Sequence, residues 1–149
     1  MPLDVFRVCR AIYARLDGSG AKRAGGRWNS PGYAVVYTAE SVALAVLENL
    51  VNMSRADFPT GYVVTGVWIP EHVAILEEAD LRRSAGLHGA GSQEVGDFWI
   101  ESRLSAVLRV PSVVVGGASN YLLNPAHIDF RQLIVKRPTP FEFDPRLFR

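Results

Sequence analysis

Strand-length apolar runs, interrupted by glycine and proline and interleaved irregularly with only two helix-length stretches, most constrain how this chain can fold. Residues 3–9, 33–37, 62–69, 108–116 and 133–136 read as strands, rich in β-branched and aromatic residues. Residues 42–53 read as a helix capped by Thr38 or Ser41, and residues 93–104 as a second helix capped by Ser92, with Val95, Phe98, Trp99 and Leu104 on its apolar side. A doubly wound sheet needs regular βαβ alternation, which this order lacks; the expectation is one α+β domain over residues 1–149.

Length agrees, since 149 residues and 16.4 kDa suit one domain and not two. A formal net charge of +1 argues against a strongly basic nucleic-acid binder. No apolar run reaches the ~18–20 residues that span a bilayer, and MPLDVFRVCR lacks the basic-then-apolar pattern of a secretion signal. A single cysteine, Cys9, rules out an internal disulfide framework. The expected location is cytoplasmic. The small net charge conceals an asymmetry. Residues 1–30 carry six basic residues (Arg7, Arg10, Arg15, Lys22, Arg23, Arg27) against Asp4 and Asp17, residues 31–130 carry five basic against eleven acidic, and the last nineteen carry Arg131, Lys136, Arg137, Arg146 and Arg149 against Glu142 and Asp144. Either the two basic ends close into a cationic pocket for a phosphorylated small molecule, or charge merely collects at exposed termini.

The remaining segments read as connections. Residues 17–32, DGSGAKRAGGRWNSPG, form a long irregular loop, a length that in a compact domain usually marks function or disorder. Residues 72–76 are a short strand, 80–83 a helical turn, 84–92 and 116–125 irregular, and 127–130 a turn. The tail, with Phe141, Phe143 and Phe148, packs on the domain's own core or at a homodimer interface.

Most familiar chemical signatures are absent. His72, His88 and His127 have no ligand spacing, so no metal site is expected. GSGAKRAGG lacks the ending of a phosphate-binding P-loop, and no GxSxG elbow occurs. Cys9, in an apolar strand, reads as a buried inert thiol. The informative segment is GGRWNSPG, residues 25–32. Its glycines allow close backbone approach, Arg27 offers a planar fork of donors for phosphate, and Trp28 and Asn29 add a ring face and an amide. A solvated Arg27 and a core-anchoring Trp28 are the plain alternatives. Glu48 shares a helical arc with Ser41, Ala45, Asn49 and Asn52, an arc that faces either solvent or a cleft. Ser112, and the run Ser119-Asn120-Tyr121, either satisfy local backbone groups or line a pocket mouth.

Taken in order, Phe6-Arg7, GGRWNSPG, VVYTAES with the following Glu48, RVPS, NYLLNP and FEFDPRL span nearly the whole chain, and the set resembles the RES-domain family, bacterial toxins encoded with an Xre-type helix-turn-helix antitoxin. The resemblance implies an ADP-ribosyltransferase-like fold and NAD as substrate. It assigns Arg27 and Glu48 to the family's arginine and glutamate, and Ser112 to its serine, with Ser119 as the rival. It further implies roles for Arg7 and Tyr37 in holding NAD; on residue type, Trp28 and Asn120 join them as candidates for binding it. The implied activity is cleavage of the nicotinamide–ribose bond, by water or with inorganic phosphate as co-substrate, or ADP-ribosylation of a protein. No resident cofactor is implied. A module that binds an ADP-ribose-like ligand without turnover is the non-enzymatic alternative.

Overall fold

A computed structural model describes residues 1–54 and 56–148. Its frame is an eight-stranded sheet with the order β4-β5-β6-β2-β1-β3-β7, and β8 also pairs with β3. The strands are β1 (Leu3–Arg10), β2 (Val36–Ala39), β3 (Tyr62–Ile69), β4 (Ile75–Glu77), β5 (Val107–Pro111), β6 (Ser119–Leu123), β7 (Ile134–Val135) and β8 (Thr139–Phe141). Among the described residues, four α-helices join them: α1 (Ser19–Ala24), α2 (Val42–Leu50), α3 (Glu78–Ala85) and α4 (Ser92–Ser102). All pairings are antiparallel except β4 with β5, whose crossover carries α3 and α4. The α+β class expected from the irregular strand order is the class observed.

The longest ladder is β1 against β3, from Leu3 opposite Ile69 to Arg10 opposite Tyr62. Three apolar clusters brace the sheet. One joins Val5, Val67, Val107 and Leu123; a second joins Trp28, Leu81, Val95, Trp99 and Leu108; the third joins Val8, Ala39, Leu44, Ala45 and Phe143. α2 begins where the Ser41 hydroxyl accepts from the Leu44 N–H at 3.0 Å, so Ser41 caps the helix while Thr38 lies in β2 and donates to Tyr121 O. The aromatic tail fills the third cluster of its own chain: Phe143 is 2% exposed and meets Tyr62, Phe141 and Phe148 edge-on.

Several expectations are corrected. Residues 17–32 are not a continuous loop, since α1 occupies 19–24. Asp17 accepts from the Ser19 N–H, and the Ala21 and Lys22 carbonyls receive bonds from Asn29 Nδ2 (2.8 Å) and the Gly32 N–H (2.7 Å). Those tertiary bonds stabilise a glycine-bearing turn of helix that local propensity disfavours. Residues 116–125 are not irregular either. Ser119–Leu123 is an interior strand, secured because both neighbours pair with it and Tyr121, Leu122 and Leu123 are buried. The strand placed at 33–37 pairs three residues later, at 36–39, in register with β6. Ser92 does not cap α4; Gly91 holds that position without a side-chain bond. The helix stops at Ser102, where Arg103 takes the left-handed conformation (φ 54°), so Leu104 lies outside it at 56% exposure, and Phe98 also faces out. The strand expected at 72–76 is shorter and shifted, β4 at 75–77, while 133–136 shrinks to β7, β5 ends at Pro111, and 80–83 widens into α3. No helix among the described residues is long and apolar enough to cross a membrane.

Candidate active site

A cleft of about 920 Å³ opens between β1, β2, α1, α2 and the turn that carries Arg27. Its walls hold Arg7, Arg10, Arg15, Arg23 and Arg27 against only Asp17 and Glu48. Arg15 pairs with Asp17 at 3.8 Å, and among the described residues the other four arginines form no ion pair. The basic N-terminal segment therefore does line a cationic pocket. The basic C-terminal residues do not: Lys136 pairs with Asp4, Arg146 pairs with Asp144, Arg131 and Arg137 are absent from the lining, and Arg149 lies outside the described residues.

Glu48 is half-buried and forms part of this wall. Its Oε1 accepts from Ser112 Oγ and from Asn120 Nδ2, both at 2.9 Å. Of the two placements open in the sequence, the structure adopts the cleft-facing one. Ser112 is 7% exposed, and its Oγ also accepts from the Val114 and Val115 N–H groups at 3.1 Å. It stands behind the carboxylate and is absent from the lining of the cleft. Ser119 serves elsewhere: its Oγ accepts from Arg109 Nε at 3.0 Å, and its N–H donates to Glu40 Oε1. Asn120 reaches the cleft from β6, opposite Ala39 of β2.

Across the cleft, the Arg27 turn closes on itself through a bridge between Gly26 and Asn29. Asn29 is fully buried. Its Nδ2 donates to the carbonyls of Ala21, Ser30 and Tyr33, and its Oδ1 accepts from the Tyr37 hydroxyl at 2.6 Å. The ligand-facing amide suggested by the sequence is thus an internal brace. Of the two readings open for Trp28, the structure adopts the core anchor: it is 5% exposed and belongs to the cluster with Val95 and Trp99, while still forming part of the cleft lining. Tyr37 Oη also accepts from the Trp28 N–H at 3.0 Å, and burial pushes this phenol up to about 12. That hydroxyl is committed to the scaffold, which leaves the half-buried ring as the part of Tyr37 lining the cleft. Arg7 is half-buried in β1 and Arg27 is exposed, both on the cleft. Cys9 is not sequestered as a fully buried thiol; it is half-buried, lines the cleft, and lies 3.6 Å from Tyr13 O.

Residue-level reading missed Asn49, whose Nδ2 ties α2 to Val8 O of β1 at 2.9 Å, and Gln93 and Asp97, which bond the Arg27 turn. Only the shared arc of Asn49 with Glu48 hinted at any of them. Among the described residues there is no group of three or more His, Cys, Asp or Glu side chains that would hold a metal ion. The arrangement is chemically simple. One carboxylate is held by two donors, and it faces cationic groups suited to phosphates.

Comparison with known proteins places these features in a family. The chain is 36% identical over 142 residues to the Prs ADP-ribosylating toxin of Sphingobium sp., a match covering 90% of this chain and 87% of that protein. It is 36% identical over 142 residues to Toxin Res of Yersinia enterocolitica, covering 93% of each. In three dimensions it matches a chain in the crystal structure of the M. tuberculosis MbcT-MbcA toxin-antitoxin complex with a TM-score of 0.68 at 20% identity, over 99% of this chain and 87% of that one, a likeness of fold. The RES domain model matches residues 4–144, and the chain belongs to the RES domain family.

Proposed function

We propose that this protein is the toxin of a toxin–antitoxin pair and that it cleaves the bond between nicotinamide and ribose in NAD. The observation that carries the reading is the fixed carboxylate of Glu48, clamped by Ser112 and Asn120 in the wall of an arginine-lined cleft. A cleft of about 920 Å³ is at the upper end of small-molecule pockets and admits a dinucleotide. Relatives named as toxins, one of them as an ADP-ribosylating toxin, support the same reading.

In this mechanism Arg27 and Arg7 neutralise the pyrophosphate, and Tyr37 presents its ring to nicotinamide. The C1′–N bond breaks with its electron pair leaving on nicotinamide, which departs neutral, so positive charge develops on the ribose. The transition state resembles an oxocarbenium ion, as in glycoside hydrolysis. Glu48 is already oriented before reaction, and a preorganised charge stabilises that cation without reorganisation. An acceptor oxygen then bonds to C1′. Water yields ADP-ribose, inorganic phosphate yields ADP-ribose phosphorylated at that same carbon, and a protein side chain yields an ADP-ribosylated product, the proton of the attacking group being released in each case. The name of the Sphingobium relative favours the protein acceptor as the second reading. The partner we propose is an antitoxin of the Xre helix-turn-helix type, and the NAD is substrate, not resident cofactor.

The test is NAD consumption by purified protein, with and without phosphate and with a cell extract, products being identified by mass spectrometry. Glu48→Gln keeps an oxygen for Ser112 and Asn120 and is expected to lower kcat by about 10²–10³-fold, the effect of losing one preorganised electrostatic group. Arg27→Ala is expected mainly to weaken NAD binding. Wild-type turnover in Glu48→Gln refutes the mechanism, and a wild-type protein that neither consumes nor binds NAD refutes the substrate.

A further inference from the structure

α4 meets the Arg27 turn from behind with a single stripe of its surface. Gln93, Gly96 and Asp97 stand at helical positions i, i+3 and i+4, which share a face. Gln93 Nε2 donates to Gly26 O at 2.9 Å and to Asn29 O at 3.2 Å. Asp97 Oδ1 accepts from the Ser30 N–H at 2.8 Å. Between them Gly96 abuts the turn so closely that an added Cβ would stand 1.6 Å from Trp28 O. Three consecutive contacts on one helix thus seize the backbone on both sides of Arg27, and none of the three residues lines the cleft.

Packing alone does not account for this stripe. Val95, Trp99 and Ile100 supply the apolar burial of α4, whereas Gln93 is exposed and buries little. Arg27 is itself exposed and makes no ion pair among the described residues, so its position is set by its backbone. Fixing the backbone of one residue costs about 1–2 kcal/mol of entropy, and a glycine-flanked arginine that must be ordered at each binding event loses affinity accordingly. We infer that α4 is the positioning element for the cleft's phosphate-binding arginine: Gln93 and Asp97 prepay the ordering of the 26–30 turn and thereby set affinity for the dinucleotide. This rests on the reading of the cleft as an NAD site.

The experiment is steady-state NAD turnover in Gln93→Ala, Asp97→Ala and Asp97→Asn, with thermal unfolding of each. Gln93→Ala and Asp97→Ala are expected to raise KM about 3- to 10-fold, the range for loss of one or two ordinary hydrogen bonds. Their kcat should stay within about twofold, because Glu48, Ser112 and Asn120 are untouched. Asp97→Asn retains an oxygen for the Ser30 N–H and should restore KM to near the wild-type value, a rescue that a bare need for negative charge would not give. The exposed Gln93 site keeps the test open if Asp97→Ala folds poorly. Unchanged KM in both alanine variants, alongside an active wild type, overturns the inference and leaves the NAD reading intact. So does a proportional fall in kcat with no change in KM, the mark of lost folded protein. A wild type that neither turns over NAD nor binds ADP-ribose removes the reading and this inference together.

Discussion

Replacing Ser112 by alanine separates it from Ser119, its rival for the family's serine. Ser112 Oγ donates to Glu48 and accepts from two backbone N–H groups, and the residue is 7% exposed. A hydrogen bond to a charged group contributes about 1.5–3 kcal/mol and a neutral one about 0.5–1.5. The N–H groups of half-buried Val114 and Val115 regain part of their loss from water. The net destabilisation is therefore about 2–3 kcal/mol, and at about 2–4 °C per kcal/mol for a chain of this size Tm falls by about 4–12 °C. Glu48 keeps only the Asn120 bond in this variant. If that hydroxyl holds the carboxylate for the transition state, a loss of about 1.5–3 kcal/mol lowers kcat about 10- to 100-fold. Ser119→Ala removes only the bond from Arg109, a side chain 45% exposed beside Glu77, and should leave kcat unchanged. A denaturation cycle of Ser112→Ala with Glu48→Gln should show a coupling of about 1–2 kcal/mol, as for residues in direct contact. Equal kcat values for the Ser112→Ala and Ser119→Ala proteins would refute the reasoning.

Two further outcomes follow from the scaffold. Tyr37→Phe removes the hydroxyl shared by Asn29 and Trp28 and should cost about 1–3 kcal/mol. Because the folded-state value is raised to about 12 above an unfolded value near 10, the stability tied to the protonated phenol is complete below about pH 10 and fades as pH climbs toward about 12. Urea denaturation of both proteins at pH 9 and pH 11 checks this, and an identical difference at the two pH values contradicts it. Phe143→Ala empties the centre of the aromatic tail cluster and should lower unfolding free energy by about 3–5 kcal/mol; a loss under about 1 kcal/mol would mean the tail contributes little to the core.

What the sequence disclosed depended on how local its cause was. Tyr62–Ile69 was legible to the residue, because β-branched and aromatic side chains end at Pro70. The cap of α2 was narrowed to Thr38 or Ser41 for the same reason, and Ser41 holds it. β6 was not, since glycines before it and Asn124-Pro125 after it resemble a loop, and its pairing depends on β2 and β5, far away in the chain. α1 was hidden because the bonds that secure it come from Asn29 and Gly32. At the site, motif order singled out Arg27 and Glu48, but the role of Asn29 was reversed. Residue type alone suggested ligand contact, whereas the partners that occupy its amide are Ala21, Ser30, Tyr33 and Tyr37. The polar stripe of α4 carried no signal, because Gln93 and Asp97 acquire meaning only when the helix docks on residues 26–30.

Asn120 shows where the fold yields to the chemistry. It lies in an interior strand, opposite Ala39 on one side and Val110 on the other, where an apolar residue would suit the sheet. Its Nδ2 is committed to Glu48, and its Oδ1 is buried without a hydrogen-bond partner among the described residues. A buried polar atom in that condition costs about 1–3 kcal/mol. Turning the amide over would not help, because it would set the oxygen against the Glu48 carboxylate. The orientation is therefore dictated by the acid, and the unpartnered oxygen is its consequence. Positions that break a local rule with no return in packing are where function is to be sought. Here the return is a second donor on the Glu48 carboxylate, in the wall of the arginine-lined cleft.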